Sequence, residues 1–368
     1  MAEAQTVLQA FEAALGGRGH APDPAQLAAA RRLEQYRDDW VAYKAQRSNA
    51  VTRLLVRPPI PRGLYLWGGV GRGKSLLMDC LYATVPVVRK TRVHFHEFLR
   101  GVHRELEAVQ GDADPLDEVG YRIARRFRLI CFDEFHVNDI ADAMILDRLL
   151  RRLFELRVGF VMTSNQPPDG LYPEGLHRDR VLPAIELLKE RLDVVQVDGG
   201  TDYRLRVLES IETYFVGIGS VADDHMRQAF EQLVERGDED PVLRIEAREI
   251  QARRRAGGVV WFDFAEICGG PRSHNDYLEI ASQFHTVLLS NVPRLSAGQS
   301  SEARRFTWLI DILYDRHVKL VVSAAASPKL LYVAGSLAQE FERTASRLIE
   351  MQSREYAARP RRNDAPAV

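Results

Sequence analysis

Eight consecutive residues, Gly68-Gly69-Val70-Gly71-Arg72-Gly73-Lys74-Ser75, fit the spacing G-x-x-x-x-G-K-[ST], whose chemistry is the binding of nucleotide phosphates. Glycines at 68, 69, 71 and 73 let the backbone take conformations that side chains block. Successive N–H groups can then converge on phosphate oxygens at a helix N-terminus. Lys74 is expected on the β and γ phosphates of ATP, and the Ser75 hydroxyl on Mg2+. The bland alternative is a glycine-rich turn that happens to carry Lys-Ser.

A second stretch supplies the groups such a loop needs for hydrolysis. Phe127 to Phe135 is an apolar run that ends in two adjacent carboxylates, Asp133 and Glu134. Stranded charge at the end of a buried strand is costly, and a metal ion gives it a reason. Asp133 is expected to hold Mg2+ through its water shell, and Glu134 to orient and deprotonate the attacking water. Solvated acids at an ordinary strand end are the alternative.

Two further groups are weaker candidates. The apolar run Val158 to Met162 closes in Thr163-Ser164-Asn165, where Asn165 is expected to sense the γ-phosphate or the lytic water, unless it simply forms the turn before Pro167. Downstream, Arg178 and Arg180 are equal candidates for an arginine that reaches the γ-phosphate of a neighbouring subunit; a surface salt bridge explains either one as well. The histidines at 94, 96 and 103 invite a metal reading, but His96-Glu97 is followed four positions after the histidine by Arg100, so the zinc-protease spacing H-E-x-x-H fails.

These groups must be positioned by strands and helices. Leu64 to Trp67 reads as a buried strand and Ser75 to Tyr82 as a helix, which places the loop between them. Residues 1–50 read as helical, with a stripe of Val7, Leu8, Phe11 and Leu15 and then a helix over Ala25 to Arg47. Arg92 to Phe98 reads as a strand running into a helix, 110–117 as a polar loop, and Ile140 to Leu156 as an amphipathic helix. From about residue 205 no second phosphate loop occurs. Strand-like runs at 259–264, 284–290 and 318–324 echo the first half, either as a degenerate repeat or as extra strands of one sheet. A closing helix is expected over 336–356, with Arg343 and Arg347 as lid arginines, and a disordered tail over 357–368.

Composition limits the alternatives. The chain has 368 residues, 46% of them hydrophobic, enough for more than one domain. Its formal net charge is −1, so bulk electrostatics do not call for nucleic acid; only the local clusters Arg122, Arg125, Arg126, Arg128 and Arg253-Arg254-Arg255 favour a DNA-associated role. Three cysteines without CxxC spacing read as reduced core thiols. The start is acidic and lacks a long apolar block, and no stretch approaches the about 20 apolar residues of a membrane span. A cytoplasmic location is expected.

Taken together, GLYLWGGVGRGKS, CFDEF followed by DIADAM, TSNQPP, DYRLR, HVKLVVSA and SRLIEMQSREY resemble the ZapE family, the AFG-like branch of the AAA+ ATPases. The resemblance runs from about residue 20 to 356. It implies an α/β P-loop NTPase fold of the AAA+ (ASCE) type, a parallel sheet flanked by helices, with a helical segment over 1–50, an ATPase core over 51–204 and an additional α/β region over 205–356. It also implies Mg-dependent ATP hydrolysis and, in bacteria, destabilisation of polymers of the division GTPase FtsZ; a nucleotide-dependent homo-oligomer is a separate expectation, from the candidate trans arginines. An ATP-gated adaptor with slow hydrolysis is the rival reading.

Overall fold

Leu64-Tyr65-Leu66 and Leu129-Ile130-Cys131-Phe132 are apolar at every position, which in a strand requires cover on both faces of the sheet. The computed structural model describes residues 5–16, 21–47, 49, 57–69, 71–109, 114–137, 140–173, 178–198, 207–208, 210–234, 237–245, 248–359 and 361–362. The chain divides into two compact units, Met1–Asp202 and Tyr203–Val368.

In the first unit five strands, β1 (Gly63–Trp67), β2 (Lys90–His94), β3 (Leu129–Asp133), β4 (Gly159–Ser164) and β5 (Leu192–Gln196), lie parallel in the order β2-β3-β4-β1-β5. Because side chains alternate across a strand, Leu64, Leu66, Cys131 and Val161 face one way, where α1 (Val7–Gly16), α2 (Pro24–Ala45) and α3 (Lys74–Thr84) pack on them. Tyr65, Ile130, Phe132 and Phe160 face the other. There they meet α4 (Phe95–Ala108), α5 (Pro115–Arg126), α6 (Ile140–Glu155) and α7 (Leu182–Arg191). The N-terminal helices therefore belong to the core of this unit. Helix α2 starts where its residues dictate: Asp23 caps the backbone of Gln26, the Gln26 side chain answers to the backbone of Asp23, and Pro24 takes the first turn.

The second unit has its own five-stranded sheet, so it does not extend the first. Strands β6 (Tyr214–Val216), β10 (Val259–Asp263), β11 (Thr286–Val292) and β12 (Lys319–Ala324) are parallel, and β9 (Arg254–Ala256) adds antiparallel to β10. A hairpin of β7 (Val242–Ile245) and β8 (Arg248–Gln251) stands apart. Helices α8 (Ser220–Leu233), α9 (His274–Gln283), α10 (Ser300–Asp315), α11 (Ala338–Glu350) and α12 (Arg354–Ala358) cover it.

Several boundaries differ from expectation. Residues 115–117, read as loop, form the first turn of α5, because Asp114 caps the backbone of Asp117 and Pro115 suits the first helical position. The closing helix is broken into α11 and α12 at Ser353, whose hydroxyl accepts the N–H of Tyr356 and starts a new helix. The expected tail is ordered at its start: α12 runs to Ala358, Arg361 donates to the carbonyl of Ala281, and the Arg362 N–H to that of Arg316. Residues 363–368 lie outside the described residues, as do Tyr203 and Arg204.

Candidate active site

Strand β1 delivers Gly68 to the carboxyl end of the sheet, where parallel α/β folds place their ligands. A Cβ on Gly68 would stand 2.2 Å from the carbonyl oxygen of Val197, so no other residue fits beside β5 there. Gly73, the residue before α3, has φ +77, and a Cβ on it would press on Gln26 Nε2 at 3.0 Å. The Gln26 amide, 1% exposed, donates to the carbonyl of Arg72 at 3.1 Å, and Arg72 pairs with Asp198 at 3.2 Å. An N-terminal helix thus fixes the phosphate loop. Sequence reasoning missed Gln26: the Asp23-Pro24-x-Gln26 spacing marks a capping residue, but nothing local shows its reach to Arg72.

Lys74 is 8% exposed, and its ammonium donates to the carbonyls of Gly68 at 2.7 Å and Gly69 at 2.6 Å. A triphosphate entering the loop must draw it away from those two oxygens. Val70 lies outside the described residues; Gly69, Gly71, Arg72 and Ser75 complete the loop and the start of α3.

The structure joins loop and acids through Arg92 on β2, a residue the sequence reading passed over. Its Nε donates to Asp133 Oδ2 at 2.7 Å and its Nη2 to Asp133 Oδ1 at 3.1 Å. Nη2 also reaches the Ser75 carbonyl at 3.1 Å, and Nη1 pairs with Asp79 on α3. One guanidinium therefore touches both Ser75 and Asp133. Burial pushes the Asp133 carboxyl, 2% exposed, above its usual range, while Arg92 pulls it back. The arginine in the strand-like run Arg92-Val93-His94-Phe95 was the available signal, since a guanidinium shielded from water, here with 10% of its side chain exposed, needs a partner.

Glu134 leaves the strand with φ +51, a left-handed backbone that is strained for a glutamate. Three contacts hold it there. Its N–H donates to Thr163 Oγ1 at 3.2 Å, its carbonyl accepts from His136 Nδ1 at 2.5 Å, and the next N–H, of Phe135, reaches the carbonyl of Thr163 at 2.7 Å. The Thr163 hydroxyl also donates to Asp133 Oδ1 at 3.4 Å. The residue of β4 that touches the acidic pair is therefore Thr163; Asn165 is exposed, just past the strand end. His96 lies beside this pair. Its own burial, then His94, Arg100 and His136, push its pKa down to about 3, with Glu134 opposing.

The remaining candidates sit further out. Arg178 donates to the carbonyl of Asp169 at 2.8 Å, and Arg180, with 64% of its side chain exposed, lies 3.7 Å from Asp179. His103 pairs with Asp142 at 2.8 Å. Arg343 and Arg347 both pair with Asp311 at 2.7 Å, within the second unit. The arginine clusters are largely neutralised: Arg122 pairs with Glu118, Arg126 with Glu105, Arg253 with Asp223 and Asp263, Arg254 with Glu231 and Asp238.

A phosphate loop and an acidic strand end, joined at the carboxyl edge of a parallel sheet in the order β2-β3-β4-β1-β5, define a P-loop ATPase. The chain belongs to the AFG1-like ATPase family, whose profile matches residues 5–360. It is 44% identical over 299 residues to cell division protein ZapE of Escherichia coli (strain K12), covering 81% of this chain and 80% of that one. It is 37% identical over 347 residues to lactation elevated protein 1 homolog B of Danio rerio, covering 82% of this chain and 69% of that one. The crystal structure of DnaI aligns with 44% of this chain and 82% of its own at 20% identity and a TM-score of 0.30; the fold assignment rests on the strand order instead.

Proposed function

We propose that this ATPase works with Mg2+ in the cytoplasm of a bacterium and spends its hydrolysis on weakening polymers of the division protein FtsZ. The observation that carries the division role is the 44% identity to a cell division protein across four fifths of both chains. The groups that would hold Mg2+ are the Ser75 hydroxyl and the Asp133 carboxylate, hard oxygen donors on two segments that Arg92 bridges through the Ser75 carbonyl; Arg92, bound to both Asp133 oxygens, would have to share that carboxylate with the ion. Bound there, the ion would neutralise charge on the β and γ phosphates.

The protein's own groups do the rest. Loop N–H groups and Lys74 hold the phosphates. Glu134 takes a proton from water as the water oxygen bonds to the γ-phosphorus, the bond from that phosphorus to the bridging oxygen breaks, and ADP and phosphate leave. Asn165 lies at the strand end for a γ-phosphate contact, and exposed Arg180, or Arg178, serves a neighbouring copy's nucleotide. Sedimentation of FtsZ polymers tests the reading. Wild type with ATP should lower the pelleted fraction, while Lys74→Ala should leave it unchanged. If Glu134→Gln with ATP disperses the polymers as well as wild type does, binding suffices and turnover is not the driver.

A further inference from the structure

Four parallel strands of the second unit repeat four of the first. Read from β10, its parallel strands run β10-β11-β12-β6, the same path as β2-β3-β4-β1. Registers agree: Leu129 and Thr286 open the second strands and pair with Gly159 and Lys319, while Tyr65 pairs with Met162 as Tyr214 does with Val322. The joints agree too. Arg157 and His317 turn with φ +65 and +53 before the third strand, and a one-turn helix follows at Pro168–Gly170 or Pro328–Leu330. The Tyr65 hydroxyl donates to the Gln166 carbonyl at 3.1 Å, and the Tyr214 hydroxyl to the Ala326 carbonyl at 2.8 Å.

This correspondence extends into the catalytic positions. Glu134 and Asn291 both carry left-handed backbones, φ +51 and +62, and each donates its N–H to a hydroxyl of the next strand, Thr163 at 3.2 Å and Ser323 at 3.0 Å. Asp133 answers to Ser290, and Arg92, which binds Asp133, to Trp261, whose indole N–H donates to Ser290 Oγ at 2.8 Å. Six residues, 68–73, separate β1 from α3; three, Gly217-Ile218-Gly219, separate β6 from α8, and Ser220-Val221 stands where the first unit has Lys74-Ser75.

We infer that the unit Tyr203–Val368 is a copy of the ATPase core that has exchanged its nucleotide for a closed polar network, so that the chain carries one nucleotide. In it the Gly219 N–H, placed as a phosphate-binding amide is, donates to Asn291 Oδ1 at 3.2 Å. Asn291 Nδ2 donates to Asp263 at 2.9 Å, Asp263 takes Arg253 at 2.5 Å, and Arg253 pairs with Asp223 at 2.6 Å. The metal-binding acid has become Ser290, the base Asn291, and two carboxylates, Asp223 and Asp263, share the single cation Arg253, so the network keeps a net negative charge that disfavours an anion. The glutamate-to-asparagine exchange keeps the backbone turn while removing the group that accepts a proton.

The inference rests on the nucleotide site assigned to the first unit. The test uses the full chain: stoichiometry by calorimetry with ADP, mapping by photo-crosslinking with 8-azido-ATP, and amide exchange with and without ADP. One nucleotide per chain is expected, with all label within residues 1–202, protection over 68–75 and no change over 217–221. Lys74→Ala should abolish binding. Two nucleotides per chain, label within 203–368, or protection at 217–221 in wild type overturns it while leaving the first site intact. Failure to bind any nucleotide contradicts the site assignment and the count of one together.

Discussion

The guanidinium of Arg92 clasps the carboxylate of Asp133 with two hydrogen bonds, 2.7 and 3.1 Å long, on neighbouring parallel strands. The same group reaches α3, so it links the phosphate-loop helix to the acidic strand. Planar, bidentate pairing of this kind is what arginine supplies and lysine does not.

Arg92→Ala strands Asp133 in a site 2% exposed and should lower stability by about 3–5 kcal/mol, the usual consequence of breaking a buried pair. Denaturant unfolding without metal measures it. Mg2+ with ADP should restore part of the loss, because the ion would then supply the cation that Asp133 has lost. A variant as stable as wild type without metal would show that the pair holds nothing together.

Thr163→Val keeps the shape of the side chain and removes the hydroxyl that fixes the Glu134 N–H. Leaving a backbone donor unpaired costs about 1–3 kcal/mol, and the strained turn of Glu134 loses an anchor. Turnover should fall about tenfold or more, since a displaced base forfeits part of a 10²–10⁴-fold contribution. ADP affinity should stay within a few-fold, because Thr163 does not touch the loop's lysine. Equal turnover would separate Thr163 from the positioning of Glu134.

His96 gives a dependence on acidity. Its pKa is about 3 in the fold and about 6.5 in the unfolded chain, so between those values only the unfolded chain takes the proton. Stability therefore rises with pH across that window and is lost on acidification below about 6.5. Between pH 7.5 and 5 wild type should lose about 2 kcal/mol more than His96→Gln in matched denaturant titrations. Parallel losses would mean that the imidazole is solvated.

What could be read from the residues alone is what the residues dictate locally. The strand, glycine loop and helix of 63–82 follow from adjacent residue types, and Phe127–Phe135 announced a covered strand ending in acids. Arg92, Thr163 and Gln26 could not be found that way. Each acts through a partner brought near by strand register or by a helix docked from 46 positions away. The second sheet was legible only as an echo. Its likeness lies in hydrogen bonds and backbone turns, such as those of Asn291 and Ser323, that different residue types satisfy equally well. At Ser353 a hydroxyl cap outweighed the helical spacing that ran through it.

Steady-state phosphate release by wild type and Glu134→Gln, with ATP binding measured on the same samples, bears on the catalytic assignment most directly. The mutant should bind ATP within a few-fold of wild type and turn over at least about 10²-fold more slowly. Turnover in Glu134→Gln equal to that of wild type would contradict it.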